Sequence, residues 1–248
     1  MSDKPKSRKK SKLGQEPALP PEPARRKRAA IAIFILLLGC YGYFFYVWAN
    51  WNVNTRLALT HAIVDEGRLE IDSYHSMTGD KAKYRGHYYA DKAVGASFLG
   101  VPFYWLYRQV APPAPGSATE KSYRALLGNY IISLFATAIP SALAGMLLFL
   151  LLGYYTTQAA PRIWVALAYG LGTLAFPYAT MLFGHQTAAA FILIALFMIF
   201  RARHKGWSWA WLLPAGLLLG YSVITDFLAF VPVAGLVVYL AVCLWREG

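Results

Sequence analysis

Apolar and polar positions along this chain do not alternate with the short period of a soluble domain; they come in blocks. No charged residue occurs from Ala29 to Ala49, from Ala125 to Pro161 or from Ile163 to Phe183. Each block reaches the roughly 20 apolar residues that span bilayer hydrocarbon. The pattern predicts an all-α polytopic membrane protein of about six transmembrane helices. Their expected bounds are Ala29–Ala49, Arg124–Gly153, Ile163–Phe183, Gln186–Phe200, Trp207–Thr225 and Phe227–Trp245, with a kink at Pro140 in the second. Polar sequence fills most of the gap between the first two helices. It ends in the aromatic stretch Ala93–Tyr107, which Gly95, Gly100 and Pro102 interrupt and which suits an interfacial or re-entrant element. Its Tyr104, Trp105 and Tyr107 suit the headgroup level. Ala111–Ala118 (APPAPGSA) reads as a loop. The organisation expected is a basic tail over 1–28, a first helix over 29–49, a loop with interfacial helices and a candidate site over 50–123, and a bundle of about five helices over 124–248.

Charge fixes the expected orientation. The formal net charge is +12, and much of it sits in Ser7–Lys12 and Arg25–Arg28. A basic arm can bind nucleic acid. Beside a first transmembrane helix it is the ordinary signal for a cytoplasmic N-terminus, and that reading is preferred, with no nucleic-acid partner. The Pro17–Ala24 stretch fits a disordered, extended linker. A signal peptide does not fit, because the tail and the apolar run are both long and no small-residue cleavage site follows. Counting from a cytoplasmic N-terminus, Arg162, Arg201–Lys205 and Arg246 fall inside, as they should. The corners Gly184–Gln186 and Thr225–Asp226 fall outside and carry no Lys or Arg. The expected location is a plasma or inner membrane of a cell envelope, crossed several times. Hydrophobic residues make up 57% of the chain, and Cys40 and Cys243 both lie in apolar runs, so they read as packing residues, not as a disulfide or metal framework.

The loop carries the chemistry. Asn52–Gly67 predicts a surface helix capped by Asn54 or Thr55 and stopped by Gly67. Asp65–Glu66 sits at the end disfavoured by the helix dipole and reads as a solvated acidic end. Tyr84–Tyr89 around Arg85–Gly86 predicts a tight hairpin with Asp91–Lys92 at its base. His75 and His87 lack metal-ligand spacing. Lys92 has two readings, snorkelling to headgroups or holding a phosphate. Asp226 is the only acidic residue inside the apolar second half before the terminal Glu247. It is either a helix cap or a functional group, and His185 carries the same ambiguity.

Four stretches resemble a known arrangement: Thr78–Ala82 (TGDKA), Gly86–Ala93 (GHYYADKA), Phe183–His185 (FGH) and Thr225–Phe227 (TDF). Together with Arg56 and Arg124, they are similar to integral-membrane glycosyltransferases of the GT-C fold, the family-39-like group that includes protein O-mannosyltransferases and lipid A aminoarabinose transferases. Gly86, Tyr89, Asp91 and Lys92 match one motif of the family's first outer loop in type and spacing, and Arg56 matches the Arg of the other. Val53 and Asn54 stand where the family has its catalytic Asp and following Glu, and Ala93–Val94 replace two prolines. Members are longer, so the chain reads as a fragment, a minimal member or an inactive relative.

The resemblance implies a sugar donor on a polyprenyl phosphate, within the membrane lipid. It implies Lys92, Arg56 and Arg124 on the lipid phosphate, and Asp91 or Asp80 as the base that takes the acceptor's proton. Asn54, Tyr89, His185 and Asp226 are further expected substrate contacts. No metal ligand set and no cofactor are expected, with a divalent metal left open. The alternative is a non-catalytic scaffold or accessory relative, or a transporter, although no internal repeat supports the last.

Overall fold

The computed structural model describes residues 23–47, 50–111 and 118–247. The tail over 1–22, the end of the first apolar run and most of the Ala111–Ala118 loop lie outside the described residues. Helix α1 (Pro23–Tyr43) already contains Arg25–Arg28, so those basic residues are its first turns and not part of a tail. Helix α2 (Trp51–His61) follows. Its cap is Asn50, whose side chain accepts the Val53 N–H at 3.0 Å, and not Asn54 or Thr55. A π-turn over Ala62–Glu66 extends α2 and ends at Gly67 in the left-handed region, as its sequence requires.

The hairpin forms as the pattern predicts. β1 (Lys81–Tyr84) and β2 (His87–Ala90) pair antiparallel, Tyr84 opposite His87. Arg85 and Gly86 have φ of 49° and 91°, the two positive values that a type I′ turn needs. Asp72 anchors the hairpin: one oxygen accepts the Tyr88 N–H at 2.7 Å and the other pairs with His87 at 2.6 Å. His75 stacks on the Tyr88 ring, so both loop histidines have structural partners.

Helix α3 (Gly95–Val110) is continuous through Pro102. Helix α4 (Ala118–Ser133), a π-turn over Leu134–Ala138 and α5 (Ile139–Leu151) form one apolar run. Pro140 follows the π-turn, at the start of α5. It has no N–H to offer the Ala136 carbonyl four residues back, and the Thr187 hydroxyl donates to that carbonyl instead, at 3.1 Å. The expected third span does not exist as one helix. Helix α6 (Ala159–Gly172) stops at Thr173, whose hydroxyl donates to the Tyr169 carbonyl at 2.7 Å and accepts the Ala175 N–H at 3.1 Å. That side chain supplies the backbone with non-helical partners, and a short α7 (Ala175–Ala179) follows. Helices α8 (Gly184–Lys205), α9 (Trp209–Thr225) and α10 (Phe230–Glu247) complete the bundle, a 3-10 turn over Phe227–Ala229 joining the last two.

Among the described residues, three helical runs are long and apolar enough to cross a membrane: Ser122–Tyr154, Gly184–Lys205 and Phe227–Glu247. The protein is therefore all-helical apart from the hairpin, and of membrane type. Helix α1 is pinned by Leu37, fully buried against glycines of α5 and α6. A Cβ on Gly170 would lie 2.5 Å from Leu37 Cδ2, and one on Gly145 would overlap Leu37 Cδ1. The end away from the hairpin carries Arg25–Arg28, Arg162, Arg201–Lys205 and Arg246 with few carboxylates, whereas the basic residues of the hairpin end are interspersed with acidic ones. There Arg162 is buried, donating twice to the Phe149 carbonyl at 3.0 and 3.1 Å, and Arg203 pairs with Glu247.

Truncating Leu37 to Ala is expected to cost about 2–5 kcal/mol through the cavity it leaves. Thermal unfolding of the protein in lipid checks this, and an unchanged midpoint would mean that α1 is not held there.

Candidate functional site

Four polar stretches, far apart in sequence, meet at the hairpin end of the bundle. The chain geometry that joins them is close backbone approach. A Cβ on Gly95, at the start of α3, would lie 2.7 Å from both the N and Cα of Thr225. A Cβ on Gly184, at the start of α8, would lie 2.7 Å from the Thr225 carbonyl oxygen and 2.9 Å from Arg56 Nη2. Only glycine fits at either place without moving backbone. Tyr221 adds a tie from α9 by donating its hydroxyl to the Gly95 carbonyl at 2.8 Å.

Arg56 lies beneath this junction and is 4% exposed. Its Nη1 donates to the Asn52 carbonyl at 2.9 Å and to the Asn52 side-chain oxygen. Its Nε is buried with no hydrogen-bond partner among the described residues. Burial pulls the Arg56 guanidinium below its ordinary pKa, and the charges of Asp226, Asp91 and Asp80, in that order, oppose the shift. A buried donor without a partner is costly, and here it lies among three carboxylates and next to the Gly184 backbone.

Each neighbour is placed by its own segment. The Thr78 hydroxyl donates to the Trp51 carbonyl at 2.8 Å and accepts the Asp80 N–H at 3.0 Å. Gly79 lets the Trp51 ring close over this turn, since a Cβ there would come within 2.7 Å of the ring. Asp80 is thereby held at the start of α2. Lys92, at the base of the hairpin, pairs with Asp80 at 3.1 Å and with Asp91 at 3.2 Å. Burial would lower the Lys92 pKa, but the hydrogen bonds that Lys92 donates to Asp80 and Asp91 outweigh it and raise it. Asp226 is a cap and also holds a second partner. One oxygen accepts the Leu228 N–H at 3.1 Å as a cap, and the other pairs with His185 Nδ1. The His185 side chain is 51% exposed, and its Nε2 has no partner among the described residues.

The structure thus brings together Arg56, Asp80, Asp91, Lys92, His185 and Asp226. Three expected contacts lie elsewhere. Asn54 donates its amide to the Met77 carbonyl at 2.9 Å, Tyr89 donates its hydroxyl to Glu70 at 3.3 Å, and Arg124 lines a separate cavity. Val53 is 2% exposed and packs with Leu57, Ala96 and Ile132, so its position faces the core.

The separate cavity, about 310 Å³, lies past the C-terminal turn of α2. It corrects the reading of Asp65 as a solvated end. Arg108 Nε pairs with one Asp65 oxygen at 2.7 Å, and the hydroxyls of Tyr104 and Tyr74 donate to the other at 3.0 and 3.1 Å. Burial would raise the Asp65 pKa; the His61 hydrogen bond, the Arg108 charge and the Tyr104 hydroxyl outweigh it and hold it below its usual value. The hint in the sequence was an acidic residue where a helix dipole favours a cation; its partner Arg108 was too far along the chain to be read as one.

No family model, curated protein or solved structure matches the chain.

Gly184→Ala should destabilise the junction by about 1–3 kcal/mol, because backbone or a buried guanidinium must move; a thermal midpoint like that of the unmodified protein would contradict the packing. A second expectation concerns pH. Since the folded-state pKa of Asp65 is depressed, its contribution to stability is present above its ordinary value of 3.8 and is lost as pH falls through the lower folded value. Melting temperature measured from pH 6 downwards should fall less steeply in Asp65→Asn than in the unmodified protein.

Proposed function

We propose that the protein is a membrane glycosyltransferase that moves a sugar from a polyprenyl-phosphate donor to an acceptor on the outer face of a plasma or inner membrane. In this reading the chain crosses the bilayer about six times, α1 entering from the cytoplasm. The basic end of the bundle faces the cytoplasm by the positive-inside rule, and the hairpin end faces out. The observation that carries the proposal is Arg56, a buried guanidinium whose Nε has no partner among the described residues, set where Lys92, Asp80, Asp91, His185 and Asp226 converge. A phosphate oxygen would supply the missing acceptor.

The charges dictate the order of events. Three carboxylates face two permanent cations, and Lys92 is already shared by Asp80 and Asp91. An arriving phosphate must therefore displace one carboxylate from Lys92. The displaced Asp80 or Asp91 becomes free to accept the proton of the acceptor hydroxyl. The acceptor oxygen then bonds to the sugar's anomeric carbon as the bond from that carbon to the phosphate oxygen breaks. Arg56 and Lys92 hold the leaving lipid phosphate. His185, oriented by Asp226, is a second group able to take that proton, in the manner of a carboxylate-held imidazole.

A second reading is favoured by Val53. A carboxylate at that position would have to enter a packed apolar core, so the chain fits equally a relative that binds the lipid phosphate without turnover.

Transfer from radiolabelled polyprenyl-phosphate sugars, with the protein in lipid, separates the two. Lys92→Ala should lower transfer by about two orders of magnitude, the usual effect of removing one stabilising donor. Asp80→Asn should tighten donor binding, because it removes a competitor for Lys92. Donor binding without transfer in the unmodified protein would establish the second reading. Neither binding nor transfer would refute both.

A further inference from the structure

We infer that the cavity beside Asp65 is a binding site for an anionic sugar, one bearing a carboxylate or a phosphate. The inference does not depend on the transferase reading, since it concerns a different set of side chains and is tested by binding alone. Its volume of about 310 Å³ is at the lower end of small-molecule sites. Arg108 and Arg124 line it together with Asp65, and the guanidinium edge of Arg108 that Asp65 does not occupy is a donor surface suited to an anion.

The donors are left open in a specific way. Asp65 is saturated: Arg108 Nε takes one oxygen and two tyrosine hydroxyls take the other. That fixes Arg108 while its Nη1 and Nη2 remain without hydrogen-bond partners among the described residues, two parallel donors matched to an oxyanion. The Asn129 side-chain oxygen accepts the His61 Nε2–H at 2.8 Å, which leaves its amide N–H groups for a hydroxyl.

The walls suit a ring. Tyr74, Tyr104 and Tyr107 line the cavity, and each hydroxyl is already bonded, to Asp65 or, for Tyr107, to the Arg124 carbonyl at 2.9 Å. The His61 ring stacks on Tyr74 and meets Tyr104 edge-on. The aromatic surfaces are therefore held in place before a ligand arrives and offer apolar faces to the C–H side of a sugar ring. A bare inorganic anion would leave those faces uncovered, and a neutral sugar would offer the Arg108 Nη donors no charged partner.

The test is saturation-transfer NMR on the full chain in nanodiscs of zwitterionic lipid, with glucuronate, glucose 1-phosphate, glucose and inorganic phosphate as probes. Glucuronate and glucose 1-phosphate should receive saturation. Glucose should bind roughly tenfold more weakly or worse, the loss expected for one charge-assisted contact. Arg108→Gln should weaken the anionic sugars by a similar factor. Because that change also strips Asp65 of its partner, Ala125→Trp provides a second arm: Ala125 is an exposed lining residue, and a bulky ring there should abolish binding without removing any polar partner. Lys92→Ala should leave binding unchanged. The inference is overturned if no anionic sugar binds, if glucose or inorganic phosphate binds as tightly as glucuronate, or if Ala125→Trp binds like the unmodified protein. Loss of binding in Lys92→Ala overturns it too, by assigning the signal to the Arg56 cluster.

Discussion

The close approach of the Thr225 backbone to Gly95 and Gly184 is the constraint on which the polar end of this protein rests. Three helix ends meet at that point, the starts of α3 and α8 and the end of α9, with Thr225 backbone against both glycines and the Thr225 hydroxyl and Arg56 guanidinium packed beside them. Because the contact is backbone on backbone, it leaves the corner residues His185 and Asp226 beside Arg56 with little freedom to drift. The Thr187 hydroxyl, bonded to the carbonyl that Pro140 leaves open, fixes α8 from the other side. A proline after a π-turn and a glycine at a helix start thus act on the same element within one turn of each other.

Much of this arrangement is legible in the residues. Long uncharged blocks announce spanning helices, because hydrocarbon tolerates neither charge nor unpaired backbone. Gly86 announces its turn, since the second central position of a type I′ turn needs a positive φ, and Arg85 takes the other positive φ without being a residue that favours it. The polar stretches at TGDKA, GHYYADKA, FGH and TDF were singled out as one group, and they do come together. What was not legible depends on long-range partners. The break at Thr173 needs its hydroxyl to bond Tyr169 and Ala175, and nothing in a threonine within an apolar run demands that. Asp65 looks exposed until α3 brings Arg108 and Tyr104 to it. Arg124, read as a phosphate ligand beside Arg56, belongs to a different cavity because α4 packs along α3 at the Tyr107 end. The two glycines at Thr225 carry no periodic signal at all.

The two polar regions differ in the sign of what they lack. Around Arg56 the carboxylates outnumber the cations, and the unmet need is an acceptor for one buried N–H. Beside Asp65 the carboxylate is fully engaged, and what remains open are the Nη donors of Arg108. Ionic groups near a bilayer are tolerated when they are paired or functional, and each region is paired as far as its own residues allow.

Helix α2 carries residues of both regions, Arg56 at its midpoint and Asp65 in the π-turn that extends it. At about 1.5 Å of rise per residue, the two are separated by roughly 13 Å along one stiff rod. A rod of that kind behaves as a gauge block: whatever occupies one region is held at a set span from whatever occupies the other. It also makes the two occupancies thermodynamically reciprocal, because any tilt of α2 that one ligand favours must help or hinder the second by the same free energy.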